Sequence, residues 1–342
     1  MLENLSLPLN IALFAGAAVA VWLAAVRLTG YADRIATRTG LGQEVVGLLL
    51  LGGVTSLPEL AVATTATLQG TPELTINDVL GSAAVNVLLL ALADVLIPRQ
   101  ALTSVQGSPK VLLIGVLGIV MMALVVAPTI TGDRLLLGIG RWSWIMLLVY
   151  FSAVWVMAHS HAGDAWRPLH ARAAGAADDE DPDGNSTLSH LALRASLAAA
   201  VILVAGFLLA RSGDAIAKDT GLGANFFGAV FLAFATSLPE ASTAFAAVRM
   251  KRYEMAISDV LGTNLFNVTI IVLVDALHPG GPVLVEAGRF ASFGALLALL
   301  LTALFLIGMV ERRDRTIGRL GVDSILALLT YAAGLVVLYG LR

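Results

Sequence analysis

The sequence predicts an all-α membrane protein of ten transmembrane helices, arranged as two inverted five-helix repeats with broken helices at a mid-membrane site. Of the 342 residues, 58% are hydrophobic and 13% are charged, whereas soluble domains carry about one-quarter charged residues. The run Thr-Ser-Leu-Pro-Glu at 55–59 recurs at 236–240, and many other residues recur at the same offset of 181. Composition therefore predicts a membrane protein, and the offset predicts an internal duplication.

Ten apolar segments are long enough to cross a bilayer, which takes about 20 residues. They lie near 9–29, 41–69, 73–97, 109–129, 135–157, 190–211, 221–248, 254–277, 284–309 and 319–341. Five fall in each copy, so we expect five-helix repeats at 1–158 and 190–342, joined by a linker at 159–189. The N-terminus has no basic region or obvious cleavage site, so we expect the first span to be retained rather than removed as a signal peptide.

The second and seventh spans each contain a proline followed by a glutamate, Pro58-Glu59 and Pro239-Glu240. Proline removes a backbone donor and disrupts the turn before it. A broken helix at membrane depth is tolerated only where it faces a cavity or a ligand. An ionisable residue within a span is by default a functional-site hypothesis, so we expect both glutamates to face one site.

Two hydroxyl side chains precede each proline, separated from it by one leucine. They are Thr55, Ser56, Thr236 and Ser237. Hydroxyl, carbonyl and carboxylate oxygens are the ligands of hard cations such as Ca²⁺ and Na⁺. The candidate metal ligands are Glu59, Glu240, Thr55 and Thr236. The alternative is a structural proline kink with hydroxyls bonded to backbone; two identical copies, with no Lys or Arg near either glutamate, favour the cation site.

Polar side chains recur at every fourth position in the third and eighth spans. The two stripes are Asp78, Ser82 and Asn86, and Asp259, Thr263 and Asn267. Residues four apart share a helix face, so we expect both stripes to line the cation site; for Ser82 and Thr263, helix–helix adhesion is the alternative. Desolvation and repulsion favour neutral carboxyls, so we expect at least one of Asp78 and Asp259 to carry a proton near neutral pH.

The 159–189 linker is polar and contains an acidic run at 178–183. Charge and turn-forming residues predict a solvated cytoplasmic segment. A regulatory cation site in the acidic run is a less favoured alternative, because the run lacks the EF-hand spacing. A metal site at the three histidines of this segment is less favoured too. They are His159, His161 and His170.

Lysine and arginine set the predicted orientation. Five spans in each copy is an odd number, so the second copy must enter the membrane from the opposite side, as inverted repeats of transporters do. With the N-terminus outside, inner loops hold 15 of the 21 basic residues and outer loops hold 6. Basic residues concentrate on the cytoplasmic side. We therefore expect a multi-pass protein of the cell's inner (plasma) membrane with both termini on the outer face.

Composition also excludes several classes of function. The net charge of −3 does not suggest a nucleic-acid partner. The absence of cysteine excludes disulfides, thiolate metal sites and cysteine nucleophiles. We expect no cofactor, and partners limited to the lipid bilayer and small inorganic cations; the oligomeric state is left open.

The repeated motifs resemble the two alpha-repeat signatures of the cation/calcium exchanger superfamily, which includes the sodium/calcium exchangers and their bacterial relatives. The resemblance is carried by 55–59 with Gly81-Ser82 and Asn86, and by 236–240 with 262–267. It implies that Glu59 and Glu240 coordinate Ca²⁺ at mid-membrane. It also implies that nearby hydroxyls and amides supply oxygens to Ca²⁺ or Na⁺. They are Thr55, Ser56, Ser82, Thr236, Ser237, Thr263, Asn86 and Asn267.

The resemblance implies a secondary antiporter that exchanges Ca²⁺ for Na⁺, with H⁺ as a further candidate, and whose first and sixth spans slide to alternate access. The family usually has Gly-Asn where this chain has Asn77-Asp78 and Ser258-Asp259, which leaves the counter-ion open. Alternatives are a Na⁺/H⁺ or other divalent-cation exchanger. More remote are a cation channel and an intramembrane aspartyl hydrolase that uses Asp78 and Asp259.

Overall fold

The computed structural model describes residues 6–97, 100–105, 108–159, 187–220, 226, 228–311, 316–317 and 319–341. The acidic run of the linker, His161, His170 and the side chain of His159 lie outside these residues. The domain boundaries and the role of the linker therefore stay predictions.

The described chain is almost entirely helical. The first half contains α1 (Leu7–Thr39), α2 (Gln43–Thr55), α3 (Leu57–Leu68), α4 (Pro72–Ala93), α5 (Leu102–Val105), α6 (Pro109–Thr131), β1 (Leu135–Leu136), β2 (Ile139–Gly140) and α7 (Arg141–His159). The second half contains α8 (Leu188–Thr220), α9 (Ala229–Thr236), α10 (Leu238–Arg249), α11 (Tyr253–Leu277), α12 (Val283–Glu286), α13 (Gly288–Glu311), β3 (Thr316–Ile317), β4 (Leu320–Gly321) and α14 (Val322–Leu341). From α1 to α8 the offset is 188 − 7 = 181, as in the sequence motifs.

Among the described residues, seven helices are long and apolar enough to cross a membrane. Two further pairs, α2 with α3 and α9 with α10, pass the same test as bent units, and α7 is a shorter apolar helix. The chain is a multi-pass membrane protein.

Both bent pairs turn at the serine before the Leu-Pro-Glu sequence. The axis bends by 41° between α2 and α3, at Ser56, and by 50° between α9 and α10, at Ser237. A five-residue π-helical segment precedes each break, at Gly47–Leu51 and Gly228–Leu232. Such segments are frequent at functional sites, and these two lie one helical turn before the predicted cation ligands.

Two predicted spans begin with a short hairpin rather than with helix. The span predicted at 135–157 starts as the antiparallel pair β1–β2, and α7 begins only at Arg141. Leu137 and Gly138 at its tip have φ of 55° and 85°, as a two-residue hairpin turn requires. The span predicted at 319–341 likewise overlaps the pair β3–β4 before α14. Hydropathy counts these leucines and isoleucines as apolar but cannot register the turn.

The first and sixth helices are longer than the apolar segments that predicted them. α1 runs to Thr39, although the predicted span ends at 29, and α8 runs to Thr220. Charged residues lower the hydropathy of the last turns without ending the helix. The two helices pack along each other, and α1 also packs on α10.

In the core, each broken helix packs against the central helix of the opposite half. α2 packs on α11, with Gly52 against Thr263 and Leu48 against Gly262. In the same way α9 packs on α4, where Gly81 lies against the backbone of Ala229. Each broken helix therefore meets the polar stripe of the opposite half.

Each hairpin is joined to the opposite half by one buried aspartate. Asp94, just after α4, accepts hydrogen bonds from the backbone N–H groups of Leu102 and Gly321, at 2.7 and 2.8 Å. Asp275 on α11 accepts one from the N–H of Gly140, at 2.7 Å, and one from the hydroxyl of Ser143, at 2.7 Å. These contacts fix the ends of the two central helices and leave their middle parts for the site.

Candidate cation site

The helix breaks present Glu59 and Glu240 in the first turns of α3 and α10. Pro58 and Pro239 have no N–H, which interrupts the hydrogen bonding of the preceding turn. The first turn of a helix has free N–H groups and a partial positive charge. Both glutamates are fully buried, so each half supplies one acid and one helix N-terminus.

The two glutamates share one environment, and within the described part of the chain neither has a basic partner. They are close enough to act on each other electrostatically, and Asp78 acts on both. Thr236 lies near the Glu59 carboxylate and Thr55 near that of Glu240, but all four carboxylate oxygens lack a hydrogen bond of good geometry. Among the described residues neither glutamate forms an ion pair. A buried carboxylate without a partner is costly, so the site favours a cation.

Hydroxyl groups of opposite halves pair across the site. The Thr55 Oγ1 and Thr263 Oγ1 atoms are 3.3 Å apart, and the Thr236 Oγ1 and Ser82 Oγ atoms are 3.2 Å apart. All four side chains are buried. The structure thus brings the predicted threonines and both stripe hydroxyls together in two matching pairs.

The serines at the breaks differ from each other. Ser56 donates to the backbone carbonyl of Gly52, at 2.7 Å, as the alternative of a structural kink expects. The Ser237 Oγ atom has no hydrogen-bond partner, although it is buried. A hydroxyl that donates its proton to backbone can still coordinate a cation through its oxygen lone pairs. Both serines therefore stay candidate ligands.

The predicted aspartates are buried but have different partners. Asp78 Oδ1 accepts a hydrogen bond from Thr236, at 3.3 Å, within the site. Asp259 Oδ2 accepts one from Thr243, which lies on α10 and outside the predicted set. Each aspartate keeps one oxygen without a partner.

The amides also differ. Asn264 donates its side-chain N–H to the carbonyl of Ala83, at 3.0 Å, and accepts one from Asn86, at 2.9 Å. A backbone carbonyl can only accept, so this chain of contacts fixes the Asn86 amide with its oxygen unpartnered. Asn267 is buried with neither amide atom bonded. Sequence reasoning missed Thr243 and the orienting role of Asn264; the available signal was that both stand where the copies differ, opposite Val62 and Ala83.

The ligand set would be mixed rather than purely acidic. Among the described residues, no three histidine or acidic side chains lie close enough to form a metal-binding cluster. Two carboxylates together with hydroxyl, carbonyl and amide oxygens suit a hard cation that is bound and released.

Comparison with known proteins agrees with this geometry. A family model described as sodium/calcium exchanger protein matches residues 9–158 and 190–340. The chain belongs to this family. The resemblance predicted from the repeated motifs is confirmed.

Relatives of this exchanger-family chain are membrane proteins. It is 27% identical over 309 residues to the candidate antiporter CaxA of Alkalimonas amylolytica, covering 89% of this chain and 92% of CaxA. It is 28% identical over 257 residues to the inner membrane protein YrbG of Escherichia coli strain K12, covering 74% and 75%. The family consists of exchangers, so the prediction of a membrane transporter rather than an enzyme is confirmed.

Solved structures of the sodium-calcium exchanger NCX_Mj have the same fold. One of them, soaked with 2.5 mM Na⁺ and 0.1 mM Sr²⁺, matches 97% of this chain and 99% of its own, with a TM-score of 0.70. The sequence identity is 16%, so this likeness establishes the fold alone.

Proposed function

We propose that this exchanger-family chain is a secondary active antiporter that exchanges Ca²⁺ for Na⁺, H⁺ or both, by alternating access. The observation that carries the proposal is the pair of buried glutamates without basic partners, Glu59 and Glu240, at the N-termini of two broken helices. Two carboxylates carry a charge of −2 when ionised, which one Ca²⁺ or two monovalent cations would neutralise.

Competition for one set of oxygens accounts for exchange. We propose that the protein moves between its outward-open and inward-open states only when the site holds Ca²⁺ or monovalent cations. Each ion drives this change only through the difference in its affinity for the two states. Two of the NCX_Mj structures were soaked with Na⁺ together with Sr²⁺ or with Ca²⁺. That agrees with a divalent ion and Na⁺ as the cargo of this chain.

The membrane architecture that we propose has ten spans in two inverted repeats. The seven long helices, the two bent pairs and α7 account for the ten. Contacts between the halves are reciprocal: Asp94 of the first half holds the second hairpin, and Asp275 of the second half holds the first. If the repeats are inverted, these contacts lie on opposite faces of the membrane. We propose that α1 and α8 slide together against the core.

The proposed orientation places both termini outside the cell inner membrane and the 159–189 linker in the cytoplasm. We expect cysteine introduced at Leu137, an exposed hairpin tip, to react with an impermeant thiol reagent added to intact cells. Cysteine at Ile317, in the matching hairpin, should react only after the cells are opened. The chain has no native cysteine, so labelling is specific. Equal labelling of both hairpins from outside would rule out the inverted arrangement.

Protons are the second candidate for the counter-ion, because Asp78 and Asp259 add two acids near the glutamates. We expect Asp78→Asn with Asp259→Asn to retain Ca²⁺ binding, to keep Ca²⁺ transport at saturating Ca²⁺ and to flatten its pH dependence, because amides cannot exchange a proton. The measurement is initial Ca²⁺ uptake into liposomes from about pH 6 to about pH 9, at fixed Na⁺ and saturating Ca²⁺. A pH profile identical to that of the unmodified protein would assign both aspartates a structural role.

Isotopic Ca²⁺ flux into proteoliposomes, with Na⁺ and pH gradients imposed separately, tests the proposed function. Uptake driven by either gradient, and dependent on it, supports antiport and identifies the coupling ion. Uptake that follows the Ca²⁺ gradient alone would instead indicate a channel. The hydrolase alternative has no support in the geometry, since Asp78 and Asp259 bond to different threonines and share no hydrogen bond.

A further inference from the structure

The two halves of the site are equivalent in sequence motif but not in hydrogen bonding. Thr236 pairs with Ser82, and its hydroxyl proton has two further acceptors in reach, the Ala233 carbonyl at 3.2 Å and the Asp78 carboxylate at 3.3 Å; the carboxylate is the stronger acceptor. The matching group, Thr55, pairs with Thr263, but the Asp259 carboxylate receives its hydrogen bond from Thr243 instead. One aspartate is therefore tied to a threonine of the cation site, and the other to a threonine beyond it.

The hydroxyl of Thr243 has no counterpart in the first half. The residue 181 positions earlier is Val62, which has no hydroxyl. Thr243 is fully buried on α10, one turn after Glu240. Its hydroxyl has one proton and three acceptors in reach, the carbonyls of Pro239 and Glu240 and the Asp259 carboxylate. A carboxylate is the strongest of these acceptors, so the proton is directed at Asp259.

We propose that Thr243 is a positioning residue that holds the Asp259 carboxylate on its own half, so that Asp78, which bonds to Thr236, is the aspartate whose charge acts on the bound cation. This inference rests on the proposed function, since it assigns a role within the same site. It makes the site of a duplicated protein one-sided: the aspartate of the first half bonds to a threonine of the site, and the aspartate of the second half is held by α10.

Equilibrium Ca²⁺ binding to the purified protein in Na⁺-free buffer at one fixed pH tests the inference. We expect Asp78→Asn to weaken Ca²⁺ affinity about tenfold and Asp259→Asn to weaken it less than about threefold, because only the first removes a charge from the ion's surroundings. Equal losses in the two variants would overturn the inference. Absence of saturable Ca²⁺ binding in the unmodified protein would overturn the proposed function first.

A second comparison isolates the threonine. Thr243→Val removes the hydroxyl with little change of shape, and valine is the residue that the first half has in this place. In the Thr243→Val variant the Asp259 carboxylate has lost its hydrogen bond to α10. We therefore expect Asp259→Asn to weaken Ca²⁺ affinity about tenfold in this variant. Thr243→Ser restores a donor and should restore the smaller loss. A purely structural role of Thr243 would leave the cost of Asp259→Asn the same in all three backgrounds, which would overturn the inference. If Thr243→Val does not fold, the comparison of Asp78→Asn with Asp259→Asn decides.

Discussion

Replacing either glutamate of the site by glutamine should abolish Ca²⁺ transport while the protein stays folded. Glu59→Gln and Glu240→Gln keep the size of each side chain but remove its charge. A divalent cation in a water-poor site needs formal negative charge from its ligands, and the amide also replaces one acceptor oxygen with a donor. The measurement is Ca²⁺ uptake by purified variants in proteoliposomes, and we expect it to equal that of liposomes without protein.

Glu73→Gln is the matched control. Glu73 also lies in the first turn of a helix, α4, but its side chain is exposed. We expect this variant to transport at the rate of the unmodified protein. Near-normal uptake by either site variant would exclude that glutamate from the centre of the mechanism.

The second large effect concerns the packing of α9 on α4. A methyl group at Gly81 would approach the Cα of Ala229 to 2.7 Å and its carbonyl oxygen still more closely. Backbone cannot move aside as a flexible side chain can, so Gly81→Ala should separate the two helices. We expect a loss of about 1–3 kcal/mol in stability, as overpacked cores show, and reduced transport, since α9 carries Thr236 to the site.

Thermal unfolding in detergent measures this effect. Gly118→Ala is the control, because Gly118 is a buried glycine of α6 whose added methyl group would meet no atom within 4 Å. We expect its midpoint to stay the same or rise, since alanine favours helix over glycine. Equal midpoints for Gly81→Ala and Gly118→Ala would show that the close approach of α4 and α9 is not required.

The sequence predicted the parts of this fold that depend on local chemistry and on the duplication. Proline next to glutamate predicted where the helices bend, and the structure has the bends at Ser56 and Ser237. Spacing by four placed Asp78, Ser82 and Asn86 on one face, and all three are buried in α4. The offset of 181 also predicted which residues would be counterparts, and the bounds of α1 and α3 repeat with it in α8 and α10.

The rest depends on contacts that periodicity within one helix cannot show. Thr55 pairs with Thr263, which is 208 residues away, and nothing in either helix indicates which half will supply the partner. The hairpin at Leu137 was hidden because its residues are apolar, although they are exposed. Thr243 could not be predicted from the repeat, because its counterpart in the first half is Val62 and the repeat identifies only the residues that the two copies share.

The central claim is that one site with two glutamates takes Ca²⁺ and monovalent cations in turn. Equilibrium binding of isotopic Ca²⁺ to the purified, unmodified protein, repeated at rising Na⁺ and at falling pH, tests it most directly. We predict one Ca²⁺ per chain, displaced competitively by Na⁺, H⁺ or both, with the number of sites unchanged. Saturable Ca²⁺ binding that neither ion displaces, or Ca²⁺ binding that persists in Glu59→Gln with Glu240→Gln, would contradict the account.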